Sequence, residues 1–289
     1  MNLSTKRTLA RDALAKALRF RRDNGIGMVG KFPLYDVIEK IGIELRFIEI
    51  SSLEGMYCKE PGPLILVNSE RPTGRKTFTC AHELGHHIYN HGMRVDELTE
   101  PYSRMKEKEF VVDCFAGYLL MPPLAVKNAC YLRKWSLPMI RAEQIFALSN
   151  VFGVGYLTLL SHLYYSLGMI EKQQYDSLSR TQPAKIKKII LGESFNKHLV
   201  VIDNMWSTSS IEIEVGDRII IENDGKVEGQ ALAILNNDDR KPIYNAASPG
   251  LSIITSKDSS ARIAVRVWKE SFQGRSIYRY LSDPDYAIE

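Results

Sequence analysis

The segment His82-Glu83-Leu84-Gly85-His86 constrains this chain more than any other feature of its sequence. On a helix, two histidines four residues apart lie on one face, one turn above the other, so both imidazoles can reach the same metal ion. The carboxylate between them can hold a water molecule and take its proton. Zinc-dependent hydrolysis of a substrate needs these residue types, two metal ligands and a base that takes a proton from water. The pattern therefore predicts a metal site with His82 and His86 as ligands and Glu83 as general base.

A third protein ligand is expected outside this helix, and the helical segment 105–121 supplies carboxylates for it. Glu109 is the first candidate. Asp113 follows four residues later on the same helix face, where it can accept a hydrogen bond from a ligand histidine and fix its tautomer. Glu107 is the alternative ligand, and Asp113 itself is a third possibility.

Further residues near the motif have weaker claims to a role. His91 lies five residues after His86, which on a continuous helix places it away from the metal, so we expect it to cap the helix or to support a ligand. Cys58, on the strand predicted before the metal helix, is a candidate inhibitory thiolate on the zinc, although a small half-buried hydrophobe is the alternative. Hydrolysis also needs an oxyanion stabiliser. The candidates for that role are Tyr57 and Tyr102, with Tyr89 and His91 also open.

Hydrophobic periodicity predicts an α+β fold in which a small sheet is followed by helices. We expect LILVNS to be an edge strand that aligns a substrate. The amphipathic first helix has a basic surface, either solvated or a contact surface for DNA or an acidic protein. The predicted elements are a helix at 5–22, a short helix ending at Gly42, strands IELRFIEI, MYCKE and LILVNS, and helices at 75–91, ended by Gly92, and 105–121, ended by Pro122-Pro123.

Residues 1–140 are predicted to form a zincin-like metallopeptidase domain, and residues 141–190 a helical extension. A glycine-containing turn at 152–155 predicts a helix-turn-helix-like geometry there. The second helix carries no Lys or Arg, which is poor for phosphate contact. A helical pair that only completes the core is therefore the alternative.

Residues 198–289 are rich in β-branched residues and turn signals, and we expect a β-rich candidate sensor domain there. Aromatic and basic residues interleave in this region, which would suit single-stranded DNA as an activating ligand. An ordinary β core with solvated arginines gives the same pattern. The residues are Trp206, Trp268, Tyr278, Tyr280, Arg262, Arg266, Arg275 and Arg279.

Two motifs together, FTxAHELGH at 78–86 and E-x(5)-FAxxLLMP at 109–122, resemble the ImmA/IrrE family of metallopeptidases. The resemblance covers about residues 30–175. It implies one zinc ion per chain with His82, His86 and Glu109 as ligands, Glu83 as general base, and Asp113 at the Asn/Asp position of the family motif. Members of this family are cytoplasmic proteases that cleave helix-turn-helix repressors and so derepress mobile-element, DNA-damage or anti-phage genes.

The composition sets further limits on function. The net charge of +4 is too small to indicate nucleic acid by itself, and no apolar run approaches the roughly 20 residues of a membrane span. Four cysteines without CxxC spacing, and a start without the apolar core of a signal peptide, predict a cytoplasmic protein.

We therefore expect a cytoplasmic zinc endopeptidase that cleaves a specific repressor or antitoxin, and no membrane partner. One alternative is a DNA-binding regulator with a structural or vestigial zinc site. Another is a toxin or effector encoded in a two-gene module.

Overall fold

The computed structural model describes residues 1–49, 53–91, 102–222, 225–236, 241–255 and 262–280, without the side chains of 102–105. It confirms the predicted α+β class, with a mainly helical part followed by a β-rich part. The helices are α1 (Leu3–Asp23), α2 (Leu34–Lys40), α3 (Thr73–Ile88), α4 (Tyr102–Leu120), α5 (Pro123–Leu132), α6 (Ala142–Phe152), α7 (Tyr156–Ser161), α8 (Lys172–Ser179) and α9 (Pro183–Leu191). The strands are β1 (Glu44–Ile48), β2 (Gly55–Cys58), β3 (Leu64–Asn68), β4 (Leu199–Ile202), β5 (Ser210–Glu214), β6 (Arg218–Ile221), β7 (Lys226–Gly229), β8 (Leu232–Asn236), β9 (Ile243–Ala246), β10 (Gly250–Thr255), β11 (Arg262–Trp268) and β12 (Gly274–Arg275).

The first sheet has the strand order β12-β1-β3-β2. β3 pairs in parallel with β1 on one side and antiparallel with β2 on the other. The expectation that LILVNS is an edge strand is therefore wrong, because the short turn after β2 returns the chain as β3 between β2 and β1. The edge strand beside the metal helix is β2.

α1 packs along α4 and buries small residues, Ala13 and Ala17, at the contact. Arg21 does not belong to the basic surface that the sequence predicted for this helix. Its guanidinium is fully buried and donates to the backbone carbonyls of Leu119, Gly27 and Gly30. Burial lowers its pKa to about 10. Arg21 thus fixes the end of α1 against the end of α4.

α4 and α5 together form a long apolar helical segment. The stretch Lys106–Leu132 is long and apolar enough to cross a membrane by length and composition. However, 72% of its apolar window is buried inside the protein, against α1 and α3. Its composition is that of a core helix.

α6 and α7 meet at the predicted glycine turn. Gly153 ends α6 in the left-handed conformation, with φ of 67°, and the chain bends by 101° between the two helices. This angle is typical of a helix-turn-helix. α7 has only six residues, and Tyr156, Leu159 and Leu160 are buried, so its main contribution is to the core.

The β-rich part contains two four-stranded sheets, β4-β6-β9-β8 and β5-β11-β10-β7, around a shared aliphatic core. β4 is buried on both faces, because Val200 and Ile202 point into this core while Leu199 and Val201 pack on the helical part. β12 joins the first sheet beside β1. The β-rich part is therefore packed against the helical part, with contacts to α3 and α6.

Candidate metal centre

α3 carries the histidine pair and ends before the sequence predicted. It begins after Pro72 and stops at Ile88, not at Gly92, which lies outside the described residues. Asn90 has a φ of 55°, a conformation that turns the chain out of the helix, and the N–H of His91 then donates to the carbonyl of His86 at 2.8 Å. The early end of the helix brings His91 back toward the histidine pair.

α4 approaches α3 closely at Gly85. A Cβ at this position would lie 2.9 Å from the Cβ of Val112 and 3.3 Å from the ring of Phe115. Any larger residue would separate the two helices. The contact places the carboxylates of α4 beside the histidines of α3.

Three side chains on these two helices bring metal-ligating atoms together: His82, His86 and Glu109. The two Nε2 atoms are 3.2 Å apart. The carboxylate oxygens of Glu109 lie 3.2 Å from Nε2 of His82 and 3.5 Å from Nε2 of His86. Tetrahedral zinc with bonds of about 2.0–2.1 Å places neighbouring ligand atoms about 3.4 Å apart. The residues present therefore fit a zinc ion, with a fourth position open.

Asp113 fixes the orientation of the first histidine. Its carboxylate lies 2.8 Å from Nδ1 of His82, so the Nδ1–H donates to it and Nε2 is left free for a metal. Burial works to lower the pKa of His82, but hydrogen bonds to Asp113 and Glu109 outweigh it and raise the pKa to about 10. Burial and the charge of His82 lower the pKa of His86 to about 4. The histidine pair therefore favours a single positive charge, which the two carboxylates hold on His82.

His91 lies beside the second histidine. Its Nδ1 lies 3.3 Å from Nδ1 of His86, and a His86 that ligates through Nε2 donates its Nδ1–H to this neighbour. The ring of His91 stacks on Tyr89 with centroids 5.6 Å apart, and the Tyr89 hydroxyl donates to Asp12 of α1 at 2.7 Å. His91 thus lies where a residue that supports a ligand histidine is expected. Tyr89 connects it to Asp12 on α1.

Glu83 is buried between α3 and the edge strand β2. Burial and the charge of Glu109 raise its pKa to about 7, while His82 and the backbone N–H of Tyr57 act in the opposite direction. Strand and helix touch closely at Gly55, where a Cβ would lie 2.5 Å from the methyl group of Thr79 and 3.2 Å from the Glu83 carboxylate. The backbone of β2 therefore runs directly past this carboxylate.

The structure does not bring every predicted residue into the cluster. The hydroxyl of Tyr57 is 2.8 Å from Nδ1 of His87, so it is already engaged. Cys58 lies on the opposite face of β2 from Tyr57, outside the three-residue ligand group. Burial and the charge of Glu83 raise the pKa of its thiol, which favours the uncharged form. The side chain of Tyr102 lies outside the described residues.

The aromatic and basic residues of the β-rich part do not form one exposed surface. Trp268 is buried and its indole N–H donates to Glu212. Arg279 is also buried, and Arg266 and Arg279 both pair with Asp36 and Glu212. These three residues take part in the contact between the β-rich part and α2. Binding of a nucleic acid by the other aromatic and basic residues of this region stays a prediction.

Sequence reasoning did not identify Asp12, Tyr89 as a link to His91, or Gly55. Asp12 and Tyr89 are 77 residues apart, and no periodicity connects them. The glycine at 55 is a weak signal, since a glycine inside a strand often marks a close approach of another backbone. These residues support the cluster from outside the motif.

Comparison with known families identifies one matching region. Residues 38–164 match Peptidase_M78, described as an IrrE N-terminal-like domain. This range includes α3 and α4 and excludes α1 and the β-rich part. The match supports the resemblance to the ImmA/IrrE family over that range, and with it the metallopeptidase class and a bound metal.

One solved structure, described as a Mycobacterium tuberculosis transcriptional regulator, is similar to 53% of this chain at 19% sequence identity, with a TM-score of 0.38. The chain spans about half of that regulator, 46% of its length. Comparison with curated proteins found no match.

Proposed function

We propose that this protein is a zinc-dependent endopeptidase that cleaves a specific transcriptional repressor or antitoxin. The observation that carries the proposal is the set of three ligand atoms on α3 and α4 with tetrahedral spacing, together with the buried carboxylate of Glu83 beside it. The match of residues 38–164 to a peptidase family supports the same reaction.

His82, His86 and Glu109 would hold one Zn²⁺ per chain. The ion supplies Lewis acidity, which lowers the pKa of water to about 7 and polarises a substrate carbonyl. Glu83 orients the attacking water and takes its proton, then gives a proton to the leaving amine. Asp113 and His91 keep the histidines in the tautomer that leaves Nε2 free.

The edge strand β2 is the surface on which we expect an extended peptide to bind. Among the residues that the structure describes, it pairs with β3 on one side only, and its Tyr57 N–H reaches the Glu83 carboxylate. A peptide that adds to this edge by main-chain hydrogen bonds would pass beside the ligand cluster. Side-chain pockets near this edge would then set specificity.

A helix-turn-helix repressor is the substrate class that we propose, with cleavage in the cytoplasm. The four cysteines are free thiols, as a reducing compartment favours. The proposal concerns cleavage of one regulatory protein.

The test compares cells carrying the wild type, Glu83→Gln, or a control, Glu171→Gln, an exposed carboxylate before α8. Peptides with new N-termini are identified by mass spectrometry before and after DNA damage. We expect new N-termini in one DNA-binding protein with the wild type and the control, and none with Glu83→Gln. Purified Glu83→Gln should retain one zinc per chain.

Equal cleavage by Glu83→Gln would contradict the assigned general base. Purified wild-type protein without zinc would contradict the metal site itself. New N-termini that appear only after damage would assign the activating signal to that stress.

A further inference from the structure

A cavity of about 590 Å³ lies at the N-terminal end of α3, where this helix meets the α6–α7 turn, α9 and the β-rich part. We name it the junction cavity. Residues 69–75, 154–158 and 196–199 form most of its wall. Small-molecule sites commonly have volumes of about 300–1,000 Å³. The junction cavity therefore has room for a metabolite, at the opposite end of α3 from the metal centre.

Two buried polar side chains in its wall have no hydrogen-bond partner within the described protein. They are Ser69, 1% exposed, through its Oγ, and Asn150, 6% exposed, through its Nδ2. Buried polar groups in folded proteins are nearly always hydrogen-bonded, and leaving them unpaired costs stability. A ligand in the cavity would supply the missing partners.

Lys187 of α9 adds a buried positive charge to the same wall. The residue is 8% exposed, and its ammonium donates to the backbone carbonyl of Lys197 at 2.6 Å. No ion pair to Lys187 occurs among the residues that the structure describes. Buried charges are usually paired, so this ammonium favours an anionic partner.

Three carboxylates around the cavity, of which only Asp217 is fully buried, are already engaged. Glu214 pairs with Lys76, and Glu270 pairs with Lys197 at 2.7 Å. Asp217 accepts two backbone N–H groups. The charge of Asp217 acts on Lys187 without forming an ion pair with it, and the ammonium lies 5.5 Å from the centre of the Phe195 ring. Lys187 is therefore a buried charge of this wall without an ion pair among the described residues.

The first turn of α3 also faces the cavity. Pro72 occupies the N-cap position and provides no side-chain hydrogen bond to the helix. The N–H groups of Thr73 and Gly74 are in the first turn, where an α-helix lacks internal acceptors. A sixteen-residue helix carries a partial positive charge at this end. The helix terminus therefore adds to the attraction that Lys187 exerts on an anion.

Apolar side chains complete the wall. Phe146, Tyr156 and Leu199 are buried residues that line the cavity.

We propose that the junction cavity binds a small organic anion. Its carboxylate or phosphate group contacts Lys187, Ser69 and the start of α3, and its aromatic or aliphatic body packs on Phe146, Tyr156 and Leu199. This inference does not depend on the proposed peptidase activity.

The test measures binding to the full-length, zinc-loaded protein by calorimetry. The probes are phenyl phosphate and benzoate, with phenol as the neutral analogue and inorganic phosphate as the anion without a body. We expect saturable binding of phenyl phosphate or benzoate with one site per chain, and at least about tenfold weaker binding of phenol and inorganic phosphate.

Lys187→Gln tests the charge, with Lys188→Gln on the exposed side of the same helix as its matched control. Lys187→Gln should weaken binding at least about tenfold, while Lys188→Gln changes it less than about twofold. An anion bound at the zinc would be unaffected by either substitution. Binding that survives Lys187→Gln would therefore overturn the proposal.

Ser69→Ala provides a second test that does not rely on a buried lysine. Without a ligand, removing an unpartnered hydroxyl should leave the melting temperature unchanged or raise it. With a saturating probe, the same substitution should reduce the stabilisation that the probe confers. Absence of binding by both anionic probes, or equal binding of phenol, would overturn the proposal, as would Ser69→Ala that lowers stability without the probe and leaves affinity unchanged.

Discussion

The two ends of α3 hold charged groups in opposite ways. At its C-terminal end, Glu109 and Asp113 face the histidine pair with side chains that are 57% and 58% exposed. At its N-terminal end, the ammonium of Lys76 is 1% exposed and pairs with Glu214 of β5. It also donates to the carbonyl of Ser69 at 3.1 Å. The charged groups at the C-terminal end are exposed and can bind a metal ion, whereas the ammonium at the N-terminal end forms an ion pair inside the protein.

This difference separates a buried ion pair from exposed metal-ligating side chains along one helix. A buried ion pair stabilises the folded state only while both partners are present, since a single remaining charge has lost its water. Carboxylates at an exposed metal site are not needed for the fold, and they keep their charge for the ion. We therefore expect substitutions at one end of α3 to change stability and those at the other end to change metal affinity.

The largest effect is expected at Glu109. Glu109→Gln removes the only carboxylate among the three clustered ligands, so zinc affinity should fall more than about 100-fold, with nearly complete loss of bound metal after dialysis. Zinc titration against a competing chelator measures this. Glu107→Gln, two residues away on α4, is the control and should retain the metal. The opposite result would assign the third ligand to Glu107.

Lys76→Met should produce the next largest effect, at the other end of the helix. It leaves Glu214 buried without a cation, so the free energy of unfolding should fall by about 4 kcal/mol, measured by urea denaturation with zinc present. Lys76→Met combined with Glu214→Leu should recover most of the loss. Zinc affinity should not change in either protein.

The control for the Lys76 and Glu214 substitutions is Lys172→Met, which breaks an exposed ion pair with Asp176 on α8. Such pairs contribute less than about 1 kcal/mol. If Lys76→Met cost no more than Lys172→Met, the buried pair would not be a structural contact and the comparison between the two ends of α3 would fail.

The metal end of α3 was accessible to sequence analysis because its signals are local. His82 and His86 share a helix face by spacing alone, and Glu109 with Asp113 does the same on α4. The strands and the glycine turn at 152–155 follow from alternation and from residues that favour turns, and the structure confirms both. The roles assigned to the site residues stay predictions that the experiments above address.

The other end of α3 was not accessible, because its contacts join distant parts of the chain. Lys76 and Glu214 are 138 residues apart, and neither sequence neighbourhood marks the pair. The interior position of β3 depends on its parallel pairing with β1, which no periodicity specifies. The helical pattern of α1 predicts only a basic surface, because it cannot show that the Arg21 guanidinium donates to three backbone carbonyls.

His162 extends the comparison to histidines without carboxylates. It is buried against Tyr118, and its Nε2–H donates to the carbonyl of Met121 at 3.0 Å. Burial lowers the pKa of His162 to about 4, whereas hydrogen bonds to carboxylates raise the pKa of His82 to about 10. The unfolded chain, with a histidine pKa of about 6.5, binds a proton that the folded protein excludes.

The contribution of His162 to stability is therefore present at neutral pH and lost as the pH falls from about 6.5 to about 4. Its loss is about 3 kcal/mol by linkage. Urea denaturation of metal-free wild type and His162→Gln at several pH values isolates it, because other titrating groups affect both proteins alike. The stability difference between them should shrink by about that amount on acidification. A pH-independent difference would show that His162 is not excluded from protonation.

The smallest effect is expected from the residues that orient the two ligand histidines. Asp113→Asn keeps an oxygen that accepts the Nδ1–H of His82 but removes the charge, so zinc affinity should fall about 10- to 100-fold. His91→Gln removes a neutral acceptor from His86, and since charge-assisted hydrogen bonds are about twice as strong, its effect should be smaller. Neither substitution should change the free energy of unfolding of the metal-free protein by more than about 1 kcal/mol, because both side chains act at the ligand end of α3. If His91→Gln lost more zinc affinity than Asp113→Asn, then contact with α1 through Tyr89, and not the carboxylate of Asp113 on α4, would control the geometry of the metal centre.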